Sequence, residues 1–180
     1  MTDKATLPGI GDLHEGEFNL ETGPLSVGIL DSDVSFGLEG WTPVDADPAE
    51  VDAVVTTVTN FRAATQEVLD AASVALFAYY TDTVKSLADE DPGYLEDIAE
   101  IGSADEVWNH VTLGEMPVVA EEDGTWYVSL ESECGWAEED GLQIVFRNGN
   151  EITKVGPFDD MLTWSDDEED ASGDGIYRTF

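Results

Sequence analysis

Basic side chains are nearly missing from this chain. Lys4, Lys85, Lys154, Arg62, Arg147 and Arg178 face 41 Asp and Glu, leaving a formal net charge of −35 at pH 7. DNA, RNA and anionic lipid surfaces are held by clustered Lys and Arg that neutralise phosphates, so no nucleic-acid partner and no membrane partner is expected. Cysteine occurs once, at Cys134, which excludes an intrachain disulfide. Histidine is limited to His14 and His110, and no Cys or His pair has zinc-ligand spacing. No apolar run approaches the ~20 residues of a membrane span, and no apolar h-region follows the opening residues. A soluble, cytoplasmic protein is therefore expected. A phosphate-binding glycine loop and a G-x-S-x-G elbow are also missing.

What remains is a globular composition. Hydrophobic residues make up 42% of 180, including five Trp, which suits one sizeable core and not a disordered chain. With so few cations most carboxylates have no salt-bridge partner. Their repulsion opposes the compact state at low ionic strength and is screened over roughly 3 Å at 1 M salt, against about 10 Å at 0.1 M. The charge fits a solvated surface adapted to a salty cytoplasm, a basic protein partner, or cation binding.

Period-two alternation predicts strands at 17–21, 25–30 and 34–38, separated by turn residues at 22–24 and 31–33. Residues 1–14 are polar and read as a flexible arm. Asp47, Pro48 and Glu50 form a helix start with cap, first-turn proline and capping-box carboxylate. Helical spacing then runs to Leu87, with a break expected in the β-branched run 56–59 and at Asn60. The Ala-rich, charge-poor part from Ala63 to Tyr80 reads as a buried central helix. Ser103 and Glu106 suggest a second capping box, opening a helix with Val107, Trp108 and Val111. A C-terminal meander follows, with Asp123 and Gly124, then Asn148 and Gly149, offering hairpin turns. The fold expected is α+β: an N-terminal antiparallel meander, central helices and a C-terminal antiparallel meander in a single core. The domain spans 15–164, and 165–180 is an acidic low-complexity tail whose Tyr177 and Phe180 are docking candidates.

The loop between the strands around Leu130 and Leu142 concentrates what could be functional. Its candidate binding residues are Glu131, Glu133, Trp136, Glu138, Glu139 and Asp140. Calcium loops starting at Asp31 or Glu168 fail, because Phe36 replaces the required glycine in one and Thr179 the bidentate Glu in the other. His110 reads as a helix-end cation. Cys134 shares strand parity with Leu130, so a buried small hydrophobe is the better reading, and the surrounding carboxylates would suppress its thiolate. Trp136 continues that parity, which favours a lid over the sheet edge above an exposed anchor. No catalytic residue, metal ligand or cofactor is assigned.

The run from Glu133 through Cys134, Trp136, Glu139, Gly141 and Leu142, with the later Asn148–Gly149 turn and Lys154-Val-Gly, resembles an uncharacterised bacterial family, the domain of unknown function numbered 6985. In it the core reads E-C-x-W-x-x-E-H-G-L, and Asp140 stands at the usual His. Tyr79 with Tyr80, and Asp105 with Trp108, sit where that family has an aromatic pair and a D-x-x-W helix. The resemblance implies a small cytoplasmic α+β protein, similar in style to immunity proteins, and carries no established activity. The expected function is a non-enzymatic binding protein with a basic protein partner. The alternatives are a metal-dependent hydrolase or cation-binding protein using Glu133, Glu138, Glu139 and Asp140, or acidity that is only high-salt adaptation. Nothing specifies an oligomeric state.

Overall fold

Strand parity and two glycine turns build most of the sheet. The computed structural model describes residues 5–164 and 175–178. β1 (Thr6–Leu7), β2 (Gly11–Gly16), β3 (Asn19–Thr22) and β6 (Gly37–Leu38) lie side by side, while β4 (Leu25–Val27) and β5 (Ser32–Val34) pair as a separate hairpin. Three helices follow, α1 (Pro48–Ala63), α2 (Gln66–Asp70) and α3 (Ser73–Glu90), then two 3-10 segments, Pro92–Asp97 and Ala104–His110. β7 (Val111–Thr112), β8 (Val118–Glu122), β9 (Thr125–Cys134), β10 (Leu142–Arg147) and β11 (Glu151–Gly156) complete the order. The sheet runs β1-β2-β3-β6-β8-β9-β10-β11, with β7 on the far end of β9. The expected α+β class, with its C-terminal antiparallel meander, is what the chain adopts.

Every described strand pair is antiparallel except β6 with β8, where Gly37 opposes Val118 and Leu38 opposes Val119. This short parallel pair joins the two meanders into one sheet, and the helices form the connection between its strands. Asp123 and Gly124, at φ 50° and 80°, make the two-residue β8–β9 turn. Asn148 and Gly149, at φ 51° and 78°, open a three-residue connection, since Arg147 pairs with Glu151. Positive φ suits Gly and is tolerated by the Asp of the first turn and the Asn of the second.

Several expectations are corrected. Residues 5–14 are not an arm: β1 and most of β2 lie there, and Leu7 and Leu13 are buried. Isolated apolar residues between glycines gave no visible period, so only tertiary packing reveals these strands. The stretch 25–30 is a strand only to Val27 and then a 3-10 turn. The stretch 34–38 divides at Phe36, whose ring meets Phe61 edge-on at 5.7 Å. α1 is capped as expected, the Asp47 side chain accepting from Ala49 N at 2.8 Å, but it does not break at 56–60. Thr57, Val58 and Phe61 are buried there, and Asn60 Nδ2 donates to Asn148 O at 2.9 Å. The hairpin tip docks on this turn so closely that a Cβ on Gly149 would lie 2.1 Å from Thr57 O. Packing thus overrides the low helix propensity of the β-branched run, and the helix continues to Ala63. α3 buries one face through Ser73, Leu76, Tyr79 and Tyr80 and exposes Val74 by 76%, so it is amphipathic and not wholly interior. Ser103 makes no side-chain cap, and the predicted helix is the 3-10 segment Ala104–His110. Of the expected tail, 165–174, Thr179 and Phe180 lie outside the described residues. Ile176 instead accepts from Val155 N at 2.9 Å, and Tyr177 packs on Tyr79 at 5.5 Å.

The helices cover one face of β8–β11, where Val128, Leu130, Ile144 and Phe146 are fully buried and Phe61 meets Phe146 at 4.9 Å. The segment 157–164 lies on the other face, held by a polar cluster. Lys154, 1% exposed, reaches Asp159 Oδ1 at 2.5 Å and Met161 O at 2.9 Å, and its ammonium sits 4.8 Å from the Trp164 ring centre. Gln143, fully buried, donates to Ser129 Oγ at 2.9 Å and Met161 O at 3.2 Å. Removing the anion leaves a buried ammonium with only neutral partners, whereas removing the ammonium leaves neutral acceptors and a partly solvated carboxylate. Asp159→Ala should therefore lose about 2–3 kcal/mol, and Lys154→Met about 1–2 kcal/mol, in urea denaturation at fixed KCl. The double variant should lose less than the sum. The opposite order of the single variants would contradict this account.

Candidate functional site: an acidic trough beside β9

β9 alternates between its two faces and thereby separates core from surface. Trp126, Val128, Leu130 and Cys134 point to the helical side and are buried, whereas Glu131 and Glu133 are exposed on the other. The second set lines a trough of about 960 Å³. Nine carboxylates bound it: Glu17, Glu39, Glu115, Glu131, Glu133, Glu138, Glu139, Asp140 and Asp160. Phe18, Met116, Val118, Phe158 and Leu162 supply apolar wall, and no lining residue is Lys, Arg or His.

Distant elements place these groups together. Glu17 and Phe18 come from the β2–β3 turn, Glu39 from just after β6, and Glu115 from the β7–β8 connection. That connection hugs β9: Gly114 N donates to Ser132 Oγ at 3.0 Å, and a Cβ on Gly114 would lie 1.8 Å from Glu131 O. Glycine is therefore required sterically. The opposite wall is the segment 157–164, tied to the loop where Phe158 N donates to Asp140 O at 3.1 Å.

Five of the six candidate residues, Glu131, Glu133, Glu138, Glu139 and Asp140, are exposed along this trough. Trp136 is not among its lining. Only 2% exposed, it stands edge-on to Tyr79 at 5.8 Å and to Tyr80 at 5.7 Å. The indole is a lid over the aromatic pair of α3, and with Leu87, Tyr94 and Ile98 it borders a second cavity of about 360 Å³ that meets the trough at Glu138, Glu139 and Asp140. Sequence reasoning missed Glu17, Glu39, Glu115 and Asp160, because only sheet topology and the returning 157–164 segment bring them to β9. The trough is concave, as a carboxylate-based site requires, but its candidate loop acids are solvated and not buried. Among the described residues, no group of three or more His, Cys, Asp or Glu is arranged to hold a metal ion.

Cys134 lies under the loop, 3% exposed, its Sγ donating to Gly141 O at 3.7 Å. Tyr79 Oη donates to the same carbonyl at 3.1 Å. Burial, opposed by hydrogen bonds from the backbone at Trp136 and Ala137, pushes the thiol up to about 11, with Asp140 adding to the rise. The suppression of the thiolate expected from neighbouring charge is therefore mainly a desolvation effect. Burial also raises Tyr79 and Tyr177, the latter with help from Asp82.

The sequence profile of the family described as "Domain of unknown function (DUF6985)" matches residues 9–162. No curated protein and no solved structure matches the chain. No helix among the described residues is long and apolar enough to cross a membrane.

The Cys134 environment predicts a pH dependence. An unfolded thiol ionises near 9 and the folded one near 11, so between these values the unfolded state binds fewer protons and stability falls as pH rises. Below pH 9 both forms are protonated and the effect vanishes. Cys134→Ala should flatten that decline without abolishing it, since Tyr79 and Tyr177 act in the same direction. Urea midpoints from pH 8 to pH 11 measure this, and an identical slope in both proteins would refute it.

Proposed function

The chain belongs to the DUF6985 family over residues 9–162, and from that premise we propose that it is a non-enzymatic binding protein whose acidic trough takes a basic segment of a partner protein. The supporting observation is the convergence of nine carboxylates on one concave, partly apolar surface that carries no cation. A cleft lined by one sign of charge focuses its field and steers an oppositely charged partner. The apolar wall at Phe18, Met116 and Phe158 supplies contact area that charge alone lacks. An immunity-type role fits this chemistry, with the trough covering the basic surface of a toxin or nuclease. Asp140, at the position the resemblance assigns to His, adds one more carboxylate to the rim.

One observation favours a second reading, in which acidity serves a salty cytoplasm. Asp52, Glu67, Asp89, Glu90 and Glu96 are exposed on the helical side of the sheet, outside the trough. Comparison of two variants separates the readings. One replaces Glu131, Glu133, Glu138, Glu139 and Asp140 by Gln or Asn, the other replaces the five helical-side acids. Calorimetric titration with a lysine- and arginine-rich peptide at 0.1 M KCl should show about a tenfold or greater loss in the first variant. The second should change by less than about threefold, and 1 M KCl should erase most of the difference. Equal losses in the two variants would make the acidity environmental.

A further inference from the structure

We infer that the cavity beside Trp136 is a pocket for one large apolar side chain, carried by the same basic segment that the trough takes. The assignment rests on the binding-protein reading and specifies what that segment must contain besides positive charge. The cavity, about 360 Å³, lies between α3, the 3-10 segment Pro92–Asp97 and the loop that follows β9. Leu87, Tyr94, Ile98 and Ala137 supply its apolar wall together with Trp136. Asp97, Glu138, Glu139 and Asp140 form its rim, and the last three also line the trough. No residue lining the cavity is Lys, Arg or His.

Exposed apolar side chains gather where the two cavities meet. Of six large ones among the described residues, Tyr94, 61% exposed, lines the cavity, and Met116 and Phe158 line the trough. Apolar surface held open inside a polar rim marks an interaction site. The wall is also fixed in advance. Trp136 is wedged edge-on against Tyr79 and Tyr80, Tyr79 Oη donates to Gly141 O at 3.1 Å, and Phe158 N donates to Asp140 O at 3.1 Å. A pocket that needs no rearrangement loses little affinity to ordering. The charge of the rim selects the occupant. An anionic amphiphile is repelled by the four carboxylates, and a neutral apolar molecule gains nothing from them. A second copy of this chain is repelled as well, since its net charge is −35 and its six cations are scattered singly along the sequence. A polypeptide with an apolar side chain next to Lys or Arg satisfies both wall and rim. Its apolar group fills the cavity while its cations meet the shared acids and the trough, so that the pocket holds what charge has steered in.

The test uses the full chain and short end-blocked peptides of Lys, Arg and Gly with one central residue, Leu or Ser, in calorimetric titration at 0.1 M KCl. The Leu peptide should bind about tenfold more tightly than the Ser peptide, the effect of burying one such side chain. Raising KCl to about 0.5 M should weaken both peptides and leave their ratio unchanged, since salt screens charge and not apolar contact. A third peptide keeps Leu but has Gln in place of every Lys and Arg. It should bind at least about tenfold more weakly than the cationic Leu peptide at 0.1 M KCl. Tyr94→Ser and Ile98→Ser should each cut the Leu-over-Ser ratio to about threefold or less. Val74→Ser, at an exposed apolar position of α3 outside the cavity, should leave the ratio unchanged. Near-ultraviolet circular dichroism confirms that each variant retains its fold. A ratio near one in the unaltered protein, a full ratio in both cavity variants, or equal binding of the neutral and cationic Leu peptides overturns the assignment. If the ratio is near one while binding still depends on the 131–140 acids, the pocket falls and the trough stands. If no cationic peptide binds at 0.1 M KCl, both fall.

Discussion

The register of β9 is the constraint on which the rest of this structure depends. Its ten residues alternate so that Val128, Leu130 and Cys134 meet the helices while Glu131 and Glu133 meet water. A slip of one residue would send both carboxylates into the core and the apolar set into the trough. Register is therefore enforced by burial, and three local devices reinforce it. The Asp123–Gly124 turn fixes β8 against β9, β10 pairs with six consecutive β9 residues, and the Gly149 hairpin docks on Thr57 of α1. The core contacts that stabilise the sheet and the carboxylates that give it a surface are two faces of one strand.

The second face has its own small structure, because a charged surface cannot hold a returning segment by apolar contact alone. Lys154 supplies the attachment. Its buried ammonium gathers the Asp159 carboxylate, the Met161 carbonyl and the Trp164 ring, and Gln143 joins the cluster at 3.5 Å. In a chain of net charge −35, spending one of six cations inside is informative. It holds the 157–164 wall against the sheet, and that wall carries Phe158 and Asp160 into the trough. The Lys154 ammonium is buried while the Asp159 carboxylate keeps contact with water, so the pair ties the segment to one place on the sheet and is weak evidence for net stability.

What was legible in the sequence was local. Asp47 and Pro48 announced the start of α1, Asp123–Gly124 and Asn148–Gly149 announced their turns, and alternation placed four strands between Val118 and Gly156 close to where they lie. Cys134 and Trp136 could be assigned to the interior because parity continued through them. What could not be read was non-local. The run 56–60 looked like a helix break, and nothing nearby reveals that a hairpin some ninety residues later packs on it, with Asn60 bonded to Asn148. Leu7 and Leu13 are core residues in a stretch without periodicity, and β6 meets β8 across the whole helical connection. The trough divides the same way. Five of its acids lie in one stretch of sequence, from Glu131 to Asp140, whereas Glu17, Glu39, Glu115 and Asp160 arrive by topology.

The placement of the acids bears on why the chain carries them. Like charges repel least when spread over convex, well-hydrated surface, and a protein that needed only solubility or salt tolerance would gain from putting them there. Concentrating nine in a concavity does the reverse, because low-dielectric walls focus the field and each added carboxylate raises the self-repulsion of the compact state. Surfaces that reduce stability in this way are tolerated where function uses them. On the reading proposed above, the helical-side acids belong to a solvated surface and the trough acids to a partner-binding one.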